Sequence, residues 1–337
     1  MDFIRVAVDA MGGDNAPGEI VKGAIKAVQD KDNIKVILVG LEEEISNELS
    51  KYEYDKERVD IVHAREVISN DESPTLAIRR KKDSSMVVAL NLVKSNEADA
   101  FVSAGSSGAV LTGGLFVVGR IKGIERAPLA PLIPTLNGHS LLVDCGANVD
   151  ATSSQLVQFA RMGSVYMEEV VGIKNPTVAI VNIGTEEDKG NALVKETYPL
   201  LKECRDINFI GSIESRNIPY GEADVIVCEA FVGNVILKLY EGVALALMDV
   251  IKKAFMANTK SKIGALLAKD AIKDSLKVLT SDDYGGAPLL GLNGLVVKTH
   301  GNSTYKDIRN AVIQCITFTE QEINEKIKDK IGENIKS

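Results

Sequence analysis

The chain of 337 residues has no excess of positive charge. Its formal net charge is −8, which argues against a general nucleic-acid surface and requires any anionic ligand to be met by local cations. Cysteine is sparse. The four residues Cys145, Cys204, Cys228 and Cys315 are scattered without a CxxC pair, which speaks against structural zinc and fits a reducing cytosol. The three histidines stand far apart and no Gly-x-Ser-x-Gly elbow occurs, so a serine hydrolase finds no support. No GxGxxG follows a strand and no GxxxxGK(S/T) is present, so the strongest dinucleotide and P-loop signals are missing. No basic segment leads into an apolar core at the start, so no signal peptide is expected. No uninterrupted apolar stretch reaches the roughly 20 residues of a membrane span, which leaves surface binding open. No low-complexity linker divides the sequence. One two-lobed unit over 1–337 is therefore expected rather than two separable domains.

What is present is a globular composition, 45% hydrophobic and 26% charged, on a chain long enough for a substantial core. The stretch 98–114, ADAFVSAGSSGAVLTGG, organises the rest. Ala100-Phe101-Val102 has the texture of a buried strand. Residues 103–108 are a small-residue turn, and Ala109, Val110, Leu111 and Leu115 can continue as a helix. A strand, such a turn and a helix start make an anion site: the first helical N–H groups lack internal partners, and the helix dipole favours negative charge there. Serine hydroxyls add donors, and glycine permits close approach. The same residues also read as a tight turn with Ser106 or Ser107 as a plain N-cap.

Taken in order, a strand at 4–8 ends in Asp9, the Gly12-Gly13 turn, Asp14 and Pro17. A helix follows through Ile20, Ala24, Ile25 and Val28. Asp9 stands at the carboxyl end of a strand, the usual ligand edge, and its other role is to bond the glycine loop. Strands at 36–40 and 59–63 flank an acidic helix start at 41–44. The basic run 79–82, then Asp83-Ser84-Ser85, precedes an apolar helix from Met86, so Lys82, Ser84 and Ser85 can converge on a phosphate. Residues 119–134 read as loop because of their prolines. A strand at 140–143 closes in the loop 144–150, and a helix spans 155–166. Strands at 177–181, 208–211, 224–228 and 294–298 follow, with polar loops at 182–191, 229–234 and 300–303. Residues 235–280 read as helical, 284–288 as loop, and Ile308, Ala311, Val312 and Cys315 as a final helix face. The alternation gives an α/β fold, a largely parallel sheet covered by helices on both faces. Asp9, Asp14, Asp144 and Asp150 sit in glycine turns and take an orienting role, with no metal. Cys145 reads as a small buried residue rather than a thioester-forming nucleophile.

AVDAMGGDNAP, KKDSSM with ADAFVSAGSSGAV, LVDCGAN with QFARMG, NIGTEEDKGN, FVGNVILK with EG, and YGGAPLLG with KTHGNS occur in this order over almost the whole chain. Together they resemble the bacterial phosphate acyltransferase (PlsX) family. The resemblance implies an acyltransferase without cofactor that moves a long fatty acyl group from acyl carrier protein to inorganic phosphate. The acyl-phosphate product would feed phospholipid biosynthesis. It implies an isocitrate/isopropylmalate-dehydrogenase-like fold, distantly similar to phosphate acetyltransferases. It further implies a cytoplasmic homodimer, peripheral to the inner face of the cell membrane and partnered with the membrane acyltransferase that uses acyl-phosphate. On this reading Lys82, Ser84, Ser85, Ser103, Gly105, Ser106, Ser107 and Gly108 cradle phosphate. Asn182, Lys189, Asn234 and His300 orient the thioester or its oxyanion. Asp9, Gly12, Gly13, Asp14, Asp144, Gly146 and Asn148 order the loops. Two departures stand out: Ser106-Ser107 where the family has Asn-Thr, and Glu229-Ala230 where it favours Asp-Gly. An acyl-CoA-dependent phosphate acyltransferase, an oxidoreductase on the same fold and a noncatalytic phosphate-binding protein are the other readings.

Within 235–280, Ile236, Leu239, Tyr240, Val243, Leu247, Val250, Ile251 and Phe255 recur at helical spacing, and 243–248 is apolar all round. The segment turns at 257–259, and a second helix carries Ile263, Leu266, Leu267 and Ile272. Lys252, Lys253, Lys260, Lys262 and Lys269 surround Phe255, Met256, Ile263 and Leu266 near the turn. The expectation is a protruding helical hairpin whose base is a dimer seam and whose tip meets anionic lipid or acidic carrier protein. The alternative is a core hairpin with solvated lysines.

Overall fold

The computed structural model describes residues 3–277 and 285–335. Each apolar run read as a strand forms one, but the strands assemble into two sheets. Among the described residues they are β1 (Ile4–Asp9), β2 (Ile34–Gly40), β3 (Val59–His63), β4 (Ala100–Ser103), β5 (Leu132–Thr135), β6 (Gly138–Val143), β7 (Thr177–Asn182), β8 (Asn208–Glu214), β9 (Val225–Val227), β10 (Ala287–Pro288) and β11 (Leu295–Lys298). The chain divides into two compact units, each discontinuous in sequence.

The first unit holds Met1–Pro131, Arg161–Asn175 and Asp283–Ser337. Its sheet runs β10-β11-β4-β1-β2-β3, parallel except for the short edge strand β10. β4 and β11 are buried at every position, so their apolar residues run on without the alternation of a half-exposed strand. Phe101, Met86, Leu90, Leu292 and Val296 share one core cluster. The helices Gly18–Asp30 and Tyr305–Glu320 pack at Gly23, where an added methyl would meet Ile308 Cβ at 2.6 Å. Helix Ser85–Lys94 packs against helix Ser107–Gly113 through Leu90 and Gly113. Val8 pairs with Val102 and Lys298 with Ser103. Asp9, Ser103 and Lys298, the last residues of three neighbouring strands, therefore stand in one row.

The second unit holds Leu132–Ala160 and Pro176–Asp282, with the sheet order β5-β6-β9-β7-β8. Its strands are parallel except at β5, which pairs antiparallel with β6. β5 falls in a region expected to be loop. Pro134 is tolerated there because an edge strand does not need every N–H in the ladder. Helix Ala192–Glu203 joins β7 to β8 without a matching expectation. Pro199 interrupts its pattern, and only Thr197 and Leu201 are buried.

The long helix is Ala230–Met256, so residues 230–234 are its first turns rather than a loop. Glu229 is the reason. Its carboxylate caps the helix, accepting from Phe231 N at 2.6 Å and Val232 N at 3.0 Å. Ala230 is fully buried, so both residues of that departure from the family pattern are accommodated. The chain turns after Met256 and returns as helix Thr259–Lys277. Ala230–Met256 is long and apolar enough, by length and composition, to cross a membrane, which the unbroken-run criterion passed over because Lys238 and Glu241 interrupt it. Leu239, Leu245, Leu266 and Leu267 are 65–83% exposed. Residues 278–280 of the expected hairpin and Tyr284 lie outside the described residues, as do the side chains of Lys269 and Ile272.

Candidate active site

The carboxyl edge of the first sheet gathers the polar turns. Ser103 Oγ donates to Asp9 Oδ2 at 2.7 Å and accepts from Gly105 N at 3.0 Å. Gly12 is closed over this pair: an added methyl would lie 2.8 Å from Gly105 N and 2.9 Å from Ser103 Oγ. Gly13 adopts φ +101°, a conformation that favours glycine. Asp14 N donates to Gly301 O at 2.8 Å, Thr299 N to Ser103 O at 2.9 Å, and Asn15 Nδ2 to the carbonyls of Asn302 and Ser303, both at 3.1 Å. The loops after β1, β4 and β11 are thus tied into one surface. Asp9 Oδ1, Thr299 Oγ1 and Ser303 Oγ are buried without a hydrogen-bond partner. Burial pushes the Asp9 carboxyl above the usual carboxylate range, opposed by the Ser85 and Ser103 hydroxyls, the Met11 N–H and the Lys298 charge.

The residues expected to cradle phosphate all fall in this unit. Gly105 is buried, Ser106 half-buried and Ser107 exposed. The first bond of the helix that follows is Val110 N to Ser106 O, so the preceding N–H groups have no partner within the helix. Gly108 is set by packing, since a methyl there would lie 2.7 Å from Pro74 Cγ. Ser84 is engaged inside the protein: its hydroxyl donates to Lys81 O at 2.7 Å and accepts from Val87 N at 3.4 Å, capping helix Ser85–Lys94. Ser85 is buried beside Asp9. Lys82 is exposed and donates to Ile78 O at 3.1 Å. His300 is exposed in the loop after β11.

In the second unit, Asp144 follows β6 and organises its loop. Its Oδ2 accepts from Asn148 N at 2.7 Å and Asn148 Nδ2 at 2.8 Å, and its Oδ1 from Ala147 N at 3.3 Å. Asn234 lies beside Gly146, its Cγ 4.0 Å from where a methyl on that glycine would be. Asn182 is buried and fully bonded. Its Nδ2 donates to Lys189 O at 3.2 Å and Ser212 Oγ at 3.1 Å, and its Oδ1 accepts from Ile183 N at 2.8 Å. It therefore shapes the loop that carries the exposed Lys189 rather than offering a free amide. Burial, aided by the Asp144 charge, pushes the Cys145 thiol up to about 12. Burial likewise raises Cys228 well above its ordinary value.

Sequence reasoning missed Lys298, Asn15, Thr299 and Ser303. The signal was a lysine ending the otherwise apolar run LVVK, directly before THGNS.

Largely parallel sheets with polar loops at their strand ends form a fold that solved phosphotransacylases share. A phosphotransacetylase from Streptococcus pyogenes superposes with a TM-score of 0.62 at 19% identity, covering 95% of this chain and 94% of its own. A branched-chain phosphotransacylase from Enterococcus faecalis V583 does so with a TM-score of 0.53 at 15% identity, covering 94% and 99%. At such identities the likeness shows fold alone. Residues 4–326 match the family described as fatty acid synthesis protein, and the chain belongs to it. Its relatives there include phosphate acyltransferases from Alkaliphilus oremlandii, 53% identical over 329 residues and 98% of each chain, and from Clostridium novyi, 48% identical over 332 residues, 98% of this chain and 100% of the relative.

Proposed function

We propose that this protein transfers a long-chain fatty acyl group from an acyl carrier protein thioester to inorganic phosphate, giving acyl-phosphate for phospholipid synthesis. The observation that carries the reading is near-full-length similarity, at about half the residues, to proteins named phosphate acyltransferase. The geometry supports it. Phosphate is already anionic near neutral pH and meets the turn 103–108 and its neighbouring loops. One phosphate oxygen attacks the thioester carbon, the carbon–sulfur bond breaks, and the phosphate proton goes to the departing thiolate. The buried Cys145 and Cys228 thiols hold their protons, which favours direct attack over an acyl-enzyme. Positioning and oxyanion stabilisation are then the protein's main contributions. Lys189, Asn234 and His300 are the candidates for meeting the thioester.

The exposed apolar helices support a homodimer seam at the hairpin base. Their lysine-bearing tip supports peripheral attachment to the inner face of the cell membrane, contact with acidic carrier protein, and delivery to a membrane acyltransferase. Defined acyl carrier protein thioesters are incubated with phosphate, without nicotinamide, beside acyl-CoA controls. Phosphate-dependent acyl-phosphate formation from the carrier protein, and poor use of acyl-CoA, is expected. Preference for acyl-CoA overturns the donor, and phosphate binding without turnover overturns the enzyme.

A further inference from the structure

Lys298 takes no part in the reading above. It ends β11, is 7% exposed, and pairs in register with Ser103. Its ammonium donates to Ala104 O at 3.5 Å and to Thr299 O. Those carbonyls open the loops after β4 and β11, so one cation grips both. The Ala104 carbonyl and the Gly105 N–H belong to a single planar peptide unit. Lys298 holds that plane by its oxygen, and Ser103 Oγ holds it by its N–H at 3.0 Å. Asp9 in turn fixes the Ser103 hydroxyl at 2.7 Å. The row at the strand ends is a clamp on the peptide that launches residues 106–108.

We propose that Lys298 is a positioning residue for phosphate: with Asp9 and Ser103 it sets the Ala104–Gly105 peptide plane and so aims the Ser106–Gly108 segment at the anion. This rests on the reading of that segment as the phosphate site. A cation suits the task better than a neutral donor, because its charge attracts both carbonyl dipoles at once. The charged groups facing it are Asp9 at the end of β1 and Asp14 in the following loop, and both favour the ammonium. Burial outweighs them and brings Lys298 down to about 8. The clamp is therefore charged at neutral pH and discharges a little above it, whereas arginine in its place would stay charged.

The test compares the parent with Lys298→Met and Lys298→Arg. Initial rates of phosphate-dependent thioester loss are measured from about pH 6.5 to about 9.5, so that the alkaline limb is defined. Thermal unfolding with increasing inorganic phosphate reads binding independently of turnover. Lys298→Met should raise the phosphate KM roughly tenfold or more, leave the thioester KM nearly unchanged, and lose the stabilisation by phosphate. Lys298→Arg should keep that stabilisation and move the alkaline limb of phosphate kcat/KM upward. A folded Lys298→Met with the parent's phosphate KM overturns the proposal. Should Lys298→Met fail to fold, Lys298→Gln takes its place, and the parent's phosphate KM in that variant overturns the proposal likewise. A parent that binds phosphate without turnover overturns the proposed function instead, and the phosphate-dependent unfolding shift of Lys298→Met still decides this inference.

Discussion

Gly233 lies directly against the main chain of Asp144: a methyl group on it would overlap the Asp144 carbonyl oxygen and lie 3.1 Å from Cys228 Sγ. The long helix thus meets the loop after β6 with no room for a side chain. Gly233→Ala should destabilise by about 1–3 kcal/mol, because backbone, not a flexible side chain, must move. Gly242 in the same helix has nothing within 4 Å of an added methyl, so Gly242→Ala should stabilise by about 0.5–1 kcal/mol through helix propensity. Denaturant unfolding of both variants checks the pair. Equal effects would mean that Gly233 is not a contact point.

The thiols give a second prediction. Cys145→Ala should retain phosphate-dependent turnover, and mass spectrometry of the parent under turnover should find no acyl adduct. Lost turnover in a folded variant, with an adduct in the parent, would sink direct phosphorolysis. The same thiols set an alkaline stability slope. Cys145 ionises at about 12 in the folded protein against 9.0 ordinarily, and Cys228 and Cys315 are raised in the same direction. The unfolded chain therefore binds fewer protons above pH 9.0, and the stability present below that value is lost as pH rises toward 12. Lys298, lowered to about 8, works in the opposite direction, since the unfolded chain holds its proton longer. Three thiols outweigh one amine, so the melting temperature under reducing conditions should fall above pH 9, and less steeply in Cys145→Ala.

Much of this was legible in the sequence. Buried parallel strands such as Ala100–Ser103 announce themselves as apolar runs, and their polar ends mark the ligand edge. What the sequence hid was pairing. Ser84 and Ser103 look alike as serines before glycine or helix, yet one caps a helix from within while the other links Asp9 to Gly105. The link from Ser103 to Asp9 arises only when β1 and β4 come into register. Asn182 looked like a free amide for the same reason, since Ser212 lies 30 residues away in sequence. Helix starts shift with their caps: a glutamate read as loop is the residue that begins the long helix.

Asn182 supplies a third prediction. Its amide ties both ends of the loop 182–190 and also β8, through Ile183 N, Lys189 O and Ser212 Oγ. Gly190, at φ +104°, leaves room for it, since a methyl there would lie 2.6 Å from Asn182 Oδ1. Asn182→Ala should loosen the loop and misplace Lys189. Turnover should fall roughly 10- to 100-fold with only modest loss of global stability, and hydrogen exchange should rise within residues 183–190. Faster exchange with undiminished turnover would remove this loop from the chemistry.

The hairpin tip carries the last prediction. Lys252, Lys253, Lys260 and Lys262 are exposed around the turn, beside Met256 at 59%, Ile263 at 56% and Leu266 at 73% exposure. This is a basic, apolar tip on a chain of net charge −8. Near an anionic membrane each lysine contributes about 1 kcal/mol, and salt screens it. Changing Lys253, Lys260 and Lys262 together to Glu should release the protein from anionic vesicles and raise the carrier-protein KM, with both effects larger at low salt. Leu266→Gln with Leu267→Gln separates the partners. Lipid contact needs the apolar surface, so vesicle binding should weaken in that variant even where salt has already screened the lysines. Carrier-protein recognition by charge should survive it. If the lysine variant keeps its fold and neither measurement changes, the lysines are solvated and the tip has no such partner.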